Sequence, residues 1–179
     1  MFAILLVMQL FLIRHGQDLN PDQNRLTDTD PLLSTLGEEQ AVSCAIKIKN
    51  TLGSGAKPII IASPRARTMQ TARVVAMQLG VEPEDVKSDT RLKERDCAAY
   101  SGQLAGEVFS NTEEDLVAGG MEPYSNLLDR LGKFYEDILI RTDSPIIIVT
   151  HSGNIKPFMK LSRIDHPYSL EADTFLRLI

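Results

Sequence analysis

Three segments of this chain end in side chains able to hold an anion. Arg14-His15-Gly16 follows Leu10-Phe11-Leu12-Ile13, and Ser63-Pro64-Arg65-Ala66-Arg67 follows Ile59-Ile60-Ile61-Ala62. His151-Ser152-Gly153-Asn154 follows Ile146-Ile147-Ile148-Val149-Thr150. Gathered in one place, Arg14, His15, Arg67 and His151 would combine two guanidiniums with two imidazoles. Guanidinium forks match the oxygens of a phosphoryl group, and a neutral imidazole can attack its phosphorus. Three coincident segments of this kind make chance a poorer explanation than one Arg-His-Gly triplet would.

The elements that must position these residues can be read around them. Each segment leaves an apolar run without alternation, the pattern of a strand buried on both faces of a parallel sheet. Open α/β sheets bind ligands at the carboxyl ends of such strands, so adjacent strands would bring the four side chains to one edge. Ser34 or Thr35 caps a helix to about Leu52, with Ala41, Val42, Ala45, Ile46 and Leu52 inward. Ser63-Pro64 reads as the N-cap and first position of a helix ending near Gly80, which places Arg67 in its first turn. Val86 to Thr90 is expected as a short edge strand, and Gln103 to Gly120 as a partly exposed helical region covering the pocket. Pro123 to Ile140 is a stronger helix, burying Leu127, Leu128, Leu131, Phe134, Tyr135 and Ile138. Asn154 to Leu161 is a short helix, and Asp173 to Ile179 closes the sheet at or near an edge. The expected fold is α/β, a three-layer sandwich with a mostly parallel central sheet flanked by helices and one antiparallel edge strand.

The 179 residues suffice for one domain with a sizeable core, taken as residues 1–179. A net charge of -5 without basic runs disfavours nucleic acid and anionic membranes as partners. Cys44 and Cys97 suggest no disulfide framework, so a reducing, cytoplasmic setting is expected. The apolar start, Met1 to Ile13, is shorter than the roughly 20 residues of a membrane span. It also lacks a basic n-region and a cleavage site. It is expected to extend the first strand, or to precede a natural start at Met8, with Met1 to Val7 dispensable. The three histidines have no zinc-type spacing, and neither a metal nor another cofactor is expected. His166, in a Pro-flanked loop, is expected to be structural or exposed. Oligomeric state is left open.

Beyond these segments, an ordered series of motifs runs through the chain. Arg14-His15-Gly16-Gln17 is followed by Asp30 through Ala41, and then by Ser63 through Ala72 with Arg67-Thr68-Met69-Gln70-Thr71-Ala72 in register. Leu92-Lys93-Glu94-Arg95, the pair Glu122 and Arg130, and His151 complete it. This series resembles the histidine phosphatase superfamily, which includes the cofactor-dependent phosphoglycerate mutases, and covers nearly the whole chain after residue 8. Pro21 stands where the family has asparagine, leaving Asn20 one residue early. Cys97 replaces an aromatic, Ala98 a glycine, and Tyr100 a frequent tryptophan.

The resemblance implies roles. His15 is the nucleophile that becomes a phosphohistidine, and Arg14, Arg67 and His151 stabilise the transferring charge. Glu94 is the general acid and later activates water. Gln17, Asn20 and Ser152 join Arg14, Arg67 and His151 in substrate binding, and Lys156 holds a basic position seen in similar sequences. Arg65 and Asp96 are expected as surface charges. The expected function is a metal-independent phosphomonoesterase acting through a phosphohistidine on a small phosphorylated metabolite. The alternatives are phosphoglycerate mutase-type transfer, a protein phosphohistidine phosphatase, and a non-catalytic phosphate-binding relative. Similar mutases are longer than this chain, and short phosphohistidine phosphatases often lack the glutamate present as Glu94, so hydrolysis is the leading expectation. The loop after Gln17 and residues 103–123 should set specificity.

Overall fold

The structure is a computed structural model that describes residues 9–53, 55–139, 144–163 and 171–178. The expectations for Met1 to Met8 and for His166 lie outside the described residues. In chain order the elements are β1 (Leu10–Arg14), α1 (Thr35–Leu52), β2 (Ile59–Ala62), α2 (Ala66–Leu79) and β3 (Lys87–Ser88). They continue with α3 (Ala105–Val108), α4 (Glu113–Ala118), α5 (Tyr124–Leu139), β4 (Ile146–Thr150), α6 (Ser152–Leu161) and β5 (Phe175–Arg177). The sheet order is β3-β2-β4-β1-β5. β1, β2, β3 and β4 run parallel, and β5 pairs with β1 antiparallel at the edge.

The apolar strand runs explain the layers, because successive side chains leave opposite faces of the sheet. Leu10, Leu12, Ile146 and Ile148 pack with Leu127, Leu131 and Phe134 of α5 and Phe158 of α6. Phe11, Ile13, Ile60, Ile147 and Val149 pack with Cys44, Ala45 and Ile48 of α1 and Ala72, Val75 and Ala76 of α2. Each fully buried Leu, Ile or Phe stabilises this sandwich by about 1.5–3 kcal/mol through area removed from water. Small residues on α1 and α2 let both helices lie close to the sheet.

The structure decides several helix details, some against the sequence reading. Ser34 is the N-cap of α1 and accepts from the Gly37 amide. The buried stripe of α1 is Ala41, Cys44, Ala45 and Ile48, while Ile46 is exposed. A stripe at i, i+3, i+4, i+7 fits a 3.6-residue period, and Ile46 falls on its far side. Helix α2 begins at Ala66, so Ser63 and Pro64 belong to the turn before it. Its first amide, from Ala66, donates to Asp30 Oδ1 at 2.8 Å, a cap supplied from a distant loop. On α5, Leu128 and Tyr135 are only half-buried. The expected helical region 103–120 breaks into the short α3 and α4 around their own small core of Val108, Leu116 and Met121.

Candidate active site

The register of the strands places the chemistry. Arg14 at the end of β1 stands opposite Thr150 of β4, and Ala62 of β2 opposite Val149. The ladder continues one residue further on each side: the His15 amide donates to the Thr150 carbonyl at 3.0 Å, and the Ser63 amide to the Val149 carbonyl at 3.0 Å. His15, His151 and Ser63 are therefore held at one sheet edge by backbone bonds. Gly16 passes so close to Gly37 that a Cβ on either residue would collide with backbone of the other segment. That contact seats the loop after His15 on the amino end of α1, and Thr71 Oγ1 accepts the Gly16 amide at 3.1 Å.

His15 is 7% exposed. Its Nδ1 lies 2.8 Å from the Gly16 carbonyl, which can only accept, so Nδ1 carries the proton. Nε2 then bears the lone pair, and it accepts from Arg67 Nε at 3.2 Å. Burial lowers the His15 pKa to about 4, outweighing the bond to Gly16, and the cations Arg67 and Arg14 push the same way. The imidazole is thus neutral at ordinary pH.

Arg67 is the hub of the site. Its Nε also lies 3.5 Å from Asp18 Oδ2, both side chains being buried, and its Nη2 lies 3.4 Å from His151 Nδ1. Asp30 approaches Nη1 at 3.7 Å, beyond hydrogen-bond reach. Among the described residues, Arg67 Nη1 and Arg14 Nε are buried donors with no hydrogen-bond partner. Orphaned guanidinium donors beside a buried neutral imidazole mark a place shaped for anionic oxygens.

Glu94 reaches the same place from the other side. Its Oε1 accepts from the Gly153 amide at the start of α6 at 2.8 Å, and Oε2 lies 3.5 Å from His151 Nδ1. Burial pushes its carboxyl pKa up, against the opposing pull of Gly153, Arg67, Arg14 and Arg130. Its segment is clamped by Arg130. That guanidinium forks onto both oxygens of Glu122 at 2.8 and 2.9 Å and donates to the carbonyls of Arg91, Lys93 and Glu94. Asn154 Nδ2, fully buried, donates to the carbonyls of Leu92 and Lys93.

A cavity of about 330 Å³ opens onto this cluster, lined by Arg14, His15, Asn20, Arg67, Glu94 and Ser152 among others. Two expected site residues stand elsewhere. Gln17 has its side chain beside Ser34 at the cap of α1, not on the cavity wall. His151 is fully buried behind Arg67 and Glu94, with Nε2 2.9 Å from Ser63 Oγ. Burial holds its pKa well below the usual imidazole value, helped by His15 and Arg67. Asn20 lines the cavity, though its Oδ1 is engaged by the Asp22 amide at 3.3 Å. The Arg65 guanidinium donates to the Asp28 carbonyl at 3.5 Å, and Lys156 is exposed on α6 away from the cavity. Asp96 is exposed. Sequence reasoning missed Asp18, Ser63 and Asn154, and noted Arg130 only for its spacing. Asp18 sits in a polar loop, where nothing local distinguishes a buried carboxylate from a turn former. Among the described residues no metal-type cluster of histidine, cysteine and carboxylates occurs, and no helix is long and apolar enough to cross a membrane.

Fold and site together define an α/β protein with a buried histidine and two arginines at the carboxyl edge of a mostly parallel sheet. The family model of the histidine phosphatase superfamily, branch 1, matches residues 10–167, and the chain belongs to that family. A protein of Enterobacter sp. (strain 638) named "Probable phosphoglycerate mutase GpmB" is 37% identical over 110 residues. The match spans 61% of this chain and 46% of that relative, less than half its length. A mycobacterial glucosyl-3-phosphoglycerate phosphatase solved with VO3 superposes with a TM-score of 0.74 at 20% identity, covering 96% of this chain and 90% of that one. Bacillus stearothermophilus YhfR superposes with a TM-score of 0.75 at 18% identity, covering 96% and 95%. At these identities the superpositions speak for the fold.

Proposed function

We propose that this protein is a metal-independent phosphomonoesterase that works through a phosphohistidine at His15 on a small phosphorylated metabolite. The observation that carries the reading is the pair of buried donors without a hydrogen-bond partner, Arg14 Nε and Arg67 Nη1, beside a neutral His15 whose Nε2 holds the lone pair. The arginines neutralise the phosphoryl oxygens, the work a metal would otherwise do. An entering phosphoryl group offers Arg67 stronger, charge-assisted acceptors than the imidazole does, which draws Nε away and frees the His15 lone pair. Nε2 then bonds to phosphorus as the ester P–O bond breaks, and protonated Glu94 gives its proton to the leaving oxygen. Water next attacks phosphorus, Glu94 takes a proton from it, and the N–P bond breaks to release inorganic phosphate. His151 acts from behind, holding Arg67 Nη2 and Glu94 in register. A setting in the cytoplasm accords with this chemistry.

Acid–base lability after a rapid quench tests the covalent step. With a radiolabelled phosphate monoester, label should appear on the protein as an acid-labile, base-stable adduct and decay as inorganic phosphate forms. His15→Asn should show neither label nor turnover. Turnover by that variant, or label that moves to a second position of the substrate without release, would overturn the hydrolase reading.

A further inference from the structure

The inner end of the cavity is cationic, but its outer part is not. Besides Arg14 and Arg67, the cations that line it are Arg25 and Arg95. Both are already neutralised within the protein. Arg25 Nε lies 2.9 Å from Asp22 Oδ2, and its Nη1 donates to the Gly102 carbonyl at 2.7 Å. Arg95 Nη2 lies 2.6 Å from Glu113 Oε1, Nε donates to the Glu122 carbonyl at 2.7 Å, and the guanidinium rests over the Tyr124 ring. Asp18 also lines the cavity, its carboxylate 3.5 Å from Arg67 Nε.

Alongside the uncharged polar Asn20, Gln23 and Thr27, the same wall carries a run of apolar side chains: Leu26, Ala105, Phe109, Tyr124 and Leu127. Phe109 is 52% exposed, an aromatic side chain at the cavity that the protein leaves largely uncovered. The wall is also preformed. The Leu26 amide donates to the Gln103 carbonyl at 3.0 Å, Gly102 donates back to Leu26 at 2.9 Å, and Ala105 donates to Asn24 at 2.8 Å. Those bonds zip the loop after β1 to the segment carrying α3, so Leu26 and Phe109 stand as fixed parts of one surface.

Resting on the phosphomonoesterase reading above, we infer that the alcohol part of the substrate is uncharged and apolar, an aryl or alkyl group seated against Leu26, Phe109 and Tyr124. A substrate carboxylate, as in a phosphoglycerate, would lose hydration there without gaining an unneutralised cation. An apolar group instead covers exposed apolar surface on both partners.

Benzyl phosphate and 4-carboxybenzyl phosphate test this, because the remote carboxylate leaves the basicity of the leaving alcohol nearly unchanged. The wild-type protein should favour the uncharged ester in kcat/KM by roughly tenfold or more, the scale of discrimination a shaped pocket reaches. Phe109→Ala should raise KM for benzyl phosphate severalfold and leave methyl phosphate unchanged. Glu113→Gln, which releases the Arg95 charge, should narrow the gap by improving the carboxylated ester alone. Equal or inverted preference, or a Phe109→Ala effect shared by methyl phosphate, would overturn the substrate class while leaving the hydrolase reading intact. Failure of every ester to turn over, with no label on His15, would overturn both.

Discussion

In the proposed mechanism Glu94 gives a proton to the leaving oxygen, and burial pushes its carboxyl pKa in the direction that retains one. Phosphoryl transfer from an alkyl ester to His15 needs that proton because an alkoxide is a poor leaving group, whereas a nitrophenolate leaves without help. Glu94→Gln should therefore slow single-turnover transfer from alkyl phosphates by about 10²–10⁴-fold, and from an activated aryl phosphate far less. The pH profile of kcat/KM for an alkyl ester should rise as His15 loses its proton near about 4 and fall at higher pH as Glu94 ionises. The falling limb should vanish in Glu94→Gln. Identical losses for alkyl and aryl esters would remove Glu94 from the acid role. The assignment of Arg67 over Arg65 also belongs to this scale. Arg65 precedes α2 in an extended conformation while Arg67 lies in its first turn, and of the two it is Arg67 that reaches His15.

At the scale of elements, the segment from Arg91 to Glu94 has no strand of its own to hold it. Its carbonyls are held by side chains of other elements: Arg130 of α5, Asn154 of α6 and Thr150 of β4. Arg130 and Glu122 form a bidentate pair that is partly buried, at 20% and 16% side-chain exposure. Arg130→Gln leaves several carbonyls short of donors and frees the loop that carries Glu94. The expected result is a fall in kcat with little change in KM, together with loss of the high-pH limb that reports Glu94. Arg130→Lys restores the charge but not the fork, so it should recover only part of the loss. A Glu122→Gln variant with an unaltered pH profile would show the clamp to be structural only.

The whole molecule bears the cost of keeping imidazoles neutral under its core. In the folded state the His15 pKa is about 4, against 6.5 for a free imidazole. Between those values the unfolded chain binds a proton that the folded chain rejects, so this group's contribution is present above the free value and lost as pH falls. The loss is on the order of 3 kcal/mol across the window. Glu94 acts in the opposite direction, since its raised pKa makes the folded state hold a proton the unfolded carboxyl has released. The difference between wild type and His15→Gln isolates the imidazole. Urea midpoints taken at about pH 7 and about pH 5 should fall more in wild type than in the variant. Parallel falls would show that His15 titrates normally in the folded protein.

The amino-acid sequence alone determined the sheet and the edge at which the chemistry lies. Apolar runs at Leu10–Ile13, Ile59–Ala62 and Ile146–Val149 read as strands buried on both faces, and as neighbours in one parallel sheet they bring their polar exits to one rim. A helix cap at Ser34 or Thr35, the break near Gly80 and one antiparallel edge strand are likewise local or topological features legible in one dimension. Tertiary structure alone decided which polar groups face which. Asp18 pairs with Arg67, Ser63 with His151, and Asp30 caps α2, each across many residues of intervening chain. The inward stripe of α1 includes Cys44 and Ile48 instead of Ile46, because the angle at which the helix meets the sheet selects among apolar residues of nearly equal merit. Local preference fixes the backbone's course, but the meeting of two distant side chains depends on helix rotation and loop closure, which no short stretch of sequence encodes.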